Sequence, residues 1–130
     1  MRDYMRKYPE KYRLPREVYH QTIWRIRDYY RLKSEADAVL TESPAPPDGQ
    51  PGAHGKNTDD VARKAERREK LMERIRPIEE ALRELPAEYR KGVWANVHWG
   101  TRFPNDAGRA TYGRYKARFI FLVAEKSGLI

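Results

Sequence analysis

The chain has no cysteine. That excludes a disulfide-stapled scaffold and any zinc finger built on thiolates. Its three histidines, His20, His54 and His98, show no HxxxH-type ligand spacing, so no metal centre and no cofactor is expected. No apolar run approaches the roughly 20 residues of a spanning helix, so a membrane is not an expected partner. The N-terminus is basic but no apolar segment follows it, so no secretory signal is visible and a cytoplasmic location is expected. The glycines include no phosphate-binding loop and no dinucleotide fingerprint. Glu79 and Glu80 read as a solvated helix face, and Asp106 stands as the lone acid in its stretch of chain. No nucleophile has a base at hand, so no enzyme is expected.

Present in quantity are aromatic and basic side chains. Three Trp, nine Tyr and three Phe in 130 residues supply enough core-forming surface for one domain. Lys and Arg number 27 against 19 Asp and Glu, a net charge of +8 that favours polyanions, nucleic acid first. This charge is uneven. Residues 1–33 carry +6, 34–60 carry −5, 61–85 carry +2 and 86–130 carry +5.

Ser43 to Asn57, SPAPPDGQPGAHGKN, holds four prolines and three glycines. Proline cannot continue a helix and glycine costs entropy within one. The chain therefore divides into a basic arm (1–14), a first helix (15–41), a flexible linker (42–57), a second helix (58–84) and a C-terminal module (85–130). In the arm, tyrosines at 4, 8 and 12 have helical spacing, but Pro9 limits it to a loose segment or a single turn.

Helical periodicity runs through the rest. Tyr19, Ile23, Ile26 and Tyr30 share a face that Leu32, Ala36 and Val39 extend, and Pro15 suits the first helical position. Thr58 is the expected N-cap of the second helix, with Met72, Ile75, Ile78 and Leu82 as its stripe. Pro77 should kink or divide it. Pro86 opens a third helix that buries Tyr89, Val93, Trp94 and Val97 and ends near His98–Gly100. Thr111 caps a fourth, with Tyr112, Tyr115, Phe119, Leu122 and Val123 inward and a stop at Ser127–Gly128. The fold class is all-α: a long helical hairpin followed by a helix-turn-helix-like pair.

The last pair carries the functional expectation. Two short helices joined by a tight connector, HWGTRFPNDAGRA, are consistent with a variant helix-turn-helix whose later helix enters a major groove. Arg114 and Arg118 lie four residues apart on the polar face of that helix. Arg109 precedes it, Lys116 flanks the stripe, and Thr111 sits where a hydroxyl or backbone N–H meets phosphate. Arg90, Lys91 and Arg102 add backbone contacts. Arginine suits guanine edges and phosphates because its fork binds both in bidentate fashion. Trp94, Trp99 and Phe103 are expected in the core; exposed, they would suit single strands or RNA instead. Solvated surface cations remain the competing explanation for each residue.

The stretch LRELPAEYRKGVWANV resembles the start of the C-terminal DNA-binding region of sigma factors. Tyr12 to Lys33, Glu42 to Pro51 and Leu85 to Trp94 are similar to segments of small Firmicutes phage and prophage late-gene regulators of the RinA/ArpU type. The resemblance implies a sequence-specific regulator of transcription that binds double-stranded DNA in a bacterial host cell. Gly100 to Gly108 departs from the sigma pattern, where a regular helix would stand. Two other classes stay open: a packaging component like a small terminase subunit, and an adaptor binding RNA polymerase or another phage protein. The long hairpin also suits a homodimer.

Overall fold

The computed structural model describes residues 10–41 and 53–130, apart from the side chains of 53–58. A 3-10 turn, Glu10–Tyr12, precedes five helices: α1 (Arg16–Arg27), α2 (Tyr29–Thr41), α3 (Ala53–Arg83), α4 (Ala87–Trp99) and α5 (Arg109–Lys126). No strand occurs among the described residues, and the all-α class holds. The expected loose arm lies outside the described residues up to Pro9. Its end forms the 3-10 turn, where the Tyr12 ring meets Phe121 of α5 at 5.6 Å.

The first helix is two helices. Pro15, at φ −53 and ψ 146, lies just outside α1 as its N-cap rather than at its first helical position. Its carbonyl accepts the Tyr19 N–H at 2.9 Å. The interruption falls on Asp28, whose N–H is shared between the Trp24 and Arg25 carbonyls at 3.0 and 3.2 Å. Arg31 forks onto the Asp28 carboxylate at 2.7 and 2.6 Å and also reaches Glu35 at 2.7 Å. The first of these hydrogen bonds holds the Asp28 carboxyl below its usual range. The break lets α1 lean on α4 and α5 while α2 pairs with α3.

That pairing is the expected antiparallel hairpin. Tyr29, at the start of α2, donates its hydroxyl to Glu79 near the end of α3 at 2.6 Å. Leu32 and Ala36 pack with Ile75, flanked by Leu71 and Met72. The α2 stripe is thus buried against a helix of the same chain.

α3 corrects two expectations. It starts at Ala53, so residues 53–57 are helical rather than linker, and Thr58 is inside the helix rather than its cap. Of the kink or division expected at Pro77, the division does not occur: the helix runs through that residue. A mid-helix proline costs about 3 kcal/mol or more. Burial of an isoleucine returns about 1.5–3 kcal/mol, and Ile75 and Ile78 on either side of Pro77 are both buried.

The main core lies around α5. Tyr112, Phe119, Ile120, Val123 and Ala124 meet Ile23 and Ile26 of α1, Ile78 and Ala81 of α3, and Val93 and Val97 of α4. α5 packs against α1, α3, α4 and the 3-10 turn, so it is the centre of the main core, while α2 packs on α3. Its C-terminus closes as expected, with Gly128 at φ +75 and the Leu129 N–H on the Ala124 carbonyl at 2.9 Å. Tyr30, now in α2, departs from the expected stripe of the first helix: it is exposed.

Candidate nucleic-acid interface

α4 opens after Pro86 and ends at Gly100, as the sequence predicts. Gly100 adopts φ +68, a conformation that costs other residues strain, and its N–H reaches the Asn96 carbonyl at 3.0 Å. The Asn96 side-chain amide donates to the Thr101 carbonyl at 2.8 Å, turning the chain away from α4.

The connector is pinned to the body. Phe103 stacks on Tyr112, centroids 5.2 Å apart. The Tyr112 hydroxyl donates to Asp106 at 2.6 Å, and that bond, more than burial, pushes the phenol up to about 12. Pro104 rests on Gly92 of α4. A Cβ at Gly92 would lie 2.7 Å from both Pro104 Cδ and Tyr112 Cε1, so only glycine permits this approach.

α5 begins one turn of chain earlier than Thr111. Its N-cap is Gly108, whose carbonyl accepts the Thr111 and Tyr112 N–H groups at 3.1 and 3.2 Å. Thr111 therefore lies within the first turn and is not the cap. Residues 100–108 separate the two helices, nine where a helix-turn-helix turn takes about three to four. With four elements packed on it, α5 presents only its outer strip.

The predicted contact residues consequently separate into three groups. Arg102, Arg109 and Arg114 are exposed, and Arg118 is half-buried one turn beyond Arg114. None of these four makes an ion pair within 4 Å among the described residues, whereas Arg31, Arg76 and Lys126 do. Lys126 holds Glu84 at 2.8 Å, lowering that carboxyl, to which Arg118 adds a smaller effect.

Arg90 belongs to a second group, since it is committed to structure. Its Nε donates to the Leu85 carbonyl at 2.8 Å and a terminal nitrogen to the Arg83 carbonyl at 2.7 Å, satisfying acceptors at the end of α3. Lys91 is exposed on α4 but lines a different groove, with Tyr29, Tyr30 and Trp94. Lys116 forms the third group. Two residues from Arg114 and Arg118 is about 200° around the helix, and Lys116 turns inward toward α1.

The exposure of three large aromatic side chains was not foreseen. Trp24 and Trp99 are each 66% exposed and Tyr30 is 48% exposed. Tyr30 and Trp99 stack at 5.9 Å with rings 14° from parallel. Below them Trp94 donates its indole N–H to the Tyr30 hydroxyl at 2.8 Å. His98 lies 4.0 Å from the Trp94 ring, and burial pushes it down to about 4, with Arg27 contributing. Trp99 is thus not core, while Trp94 and Phe103 are half-buried. The only sequence signal for this was the position of Trp99 at the helix end beside Gly100.

Among the described residues no group of histidines and carboxylates is placed to hold a metal ion, and no helix is long and apolar enough to cross a membrane. No family model, no curated protein and no solved structure matches this chain.

Proposed function

We propose that the protein binds double-stranded DNA through Arg102, Arg109, Arg114 and Arg118, as a phage or prophage regulator of transcription acting in the bacterial cytoplasm. The observation that carries this reading is that these four guanidiniums share the connector and the outer strip of α5 and have no carboxylate partner among the described residues. An unpaired arginine exchanges water for phosphate without first breaking an ion pair. The nine-residue connector and the covered flanks of α5 favour contact with the phosphate backbone, with Arg114 and Arg118 the only α5 side chains of the set aimed outward beyond its first residue. Arg90 and Lys116 drop out of the proposed interface.

Four phosphate contacts correspond to a salt slope of about −3 to −4 in log K against log salt. Duplex binding measured by fluorescence anisotropy between low and moderate salt tests this. Charge reversal at Arg114 and Arg118 together should remove most of the affinity and flatten the slope. Unchanged binding by that double variant, with its circular dichroism intact, would refute the site.

The exposed Tyr30 and Trp99, stacked on each other, favour a second reading, an adaptor that contacts RNA polymerase or another phage protein through this aromatic face. Exposed tryptophan and tyrosine are the side chains that most often anchor protein interfaces. Failure to bind duplex, with polymerase retained on the immobilised protein and lost in Trp99→Ala, would select it.

A further inference from the structure

On the side of α5 opposite Arg114 and Arg118, a cavity of about 220 Å³ opens between α1, α4 and α5, lined by Tyr19, His20, Ile23, Trp24, Arg27, Asn96, Val97 and Lys116. It contains no carboxylate. From its composition we infer that it is a binding site for a phosphomonoester, with the group attached to the phosphate lying on the exposed Trp24 ring.

Arg27 is held ready for such a ligand. Its Nε is tethered to the Val97 carbonyl at 3.1 Å, and its guanidinium lies over the Trp24 ring, 5.5 Å from the centroid. Both terminal nitrogens remain without a partner among the described residues, which leaves the two-pronged edge that binds phosphate in bidentate fashion. Lys116 supplies a second positive charge. Its ammonium is disfavoured by burial and by Arg27, the condition of a cation waiting for an anion. Two cations match the charge of a phosphomonoester, about −1.5 to −2 at pH 7; a lone carboxylate would leave one charge unbalanced.

The rest of the lining narrows the ligand. Pockets for whole small molecules run to about 300–1,000 Å³. This smaller cavity accommodates a phosphate and a little more, so the remainder must extend outward, where Trp24 offers a flat aromatic surface. A phosphate and a planar group together describe a nucleotide, whether free or as the 5′-phosphorylated end of a strand.

The test uses the full chain and thymidine monophosphate, thymidine and inorganic phosphate, followed by tryptophan fluorescence and calorimetry. The monophosphate should bind at least tenfold more tightly than either fragment. Arg27→Gln and Lys116→Met should each weaken it at least tenfold. Lys116→Met should meanwhile melt no lower than the native chain, since it removes a cation disfavoured by burial. A lysine retained only for structure would instead lower the melting point. A 5′-phosphorylated oligonucleotide that outcompetes its 5′-hydroxyl counterpart would assign the site to DNA ends; equal competition, with the monophosphate still bound, would assign it to free nucleotides. Thymidine binding as tightly as its monophosphate, or full binding by both folded variants, would overturn the inference. The Arg114 and Arg118 double variant should bind the monophosphate normally, so this result stands apart from the duplex measurement.

Discussion

His98 should make the fold acid-sensitive in a window well above that of the carboxylates. It is buried among Tyr30, Trp94 and Trp99, and its Nε2 has no hydrogen-bond partner among the described residues. Burial first, and Arg27 second, lower it from 6.5 to about 4. Between those values the unfolded chain takes up a proton that the folded chain refuses. Stability is therefore full above about pH 6.5, falls as the pH is lowered, and levels off below about pH 4. At about 1.4 kcal/mol per unit the complete loss is about 3 kcal/mol, of which about 2 kcal/mol is gone by pH 5. A small domain has about 5–15 kcal/mol in total, so the effect is readily measured. Asp28, Glu69 and Glu84 have lowered values, each from its ion-pair hydrogen bond, and their stabilisation is lost only at lower pH, as protonation proceeds through their folded values. Urea unfolding followed by circular dichroism at pH 7.5, 6 and 5 isolates the histidine. His98→Phe keeps the aromatic packing and removes the titration, so its stability should stay level where the native chain loses about 2 kcal/mol. Parallel declines in the two proteins would refute the assignment.

Other outcomes follow from single contacts. Gly92→Ala should cost about 1–3 kcal/mol, because the new methyl meets Pro104 and Tyr112 at 2.7 Å; an unchanged urea midpoint would show that the connector yields freely. Arg90→Gln should destabilise by about 1–3 kcal/mol through the two carbonyls it leaves, yet leave the salt slope of duplex binding alone; a reduced slope would return Arg90 to the DNA interface.

Much of the architecture was legible in advance. A 3.6-residue repeat places Ile23, Ile26, Ile75, Ile78, Phe119 and Val123 on inner faces whatever they pack against, and all six are buried. Pro86 and Gly100 act on their own backbone, so the ends of α4 were readable too. Local rules failed where distant partners decide. Asp28 divides a helix whose pattern runs straight through it, because α1 and α2 have different neighbours. Pro77 does not divide α3, where the flanking Ile75 and Ile78 are both buried.

The candidate site was legible only as a list of cations. Sequence alone determined that the C-terminal part of the chain is basic, and that Arg114 and Arg118 share one face, since both follow from counting and helix geometry. The tertiary structure decided what each cation does. Arg90 caps α3, Lys116 turns to a cavity on α1, and Arg102, Arg109, Arg114 and Arg118 make no ion pair among the described residues. It also decided that Trp24, Tyr30 and Trp99 are exposed. The physical reason is the same in each case. A helix repeat gives a side chain's direction, whereas its partner, its solvent and its charge depend on residues that lie tens of positions away in the chain.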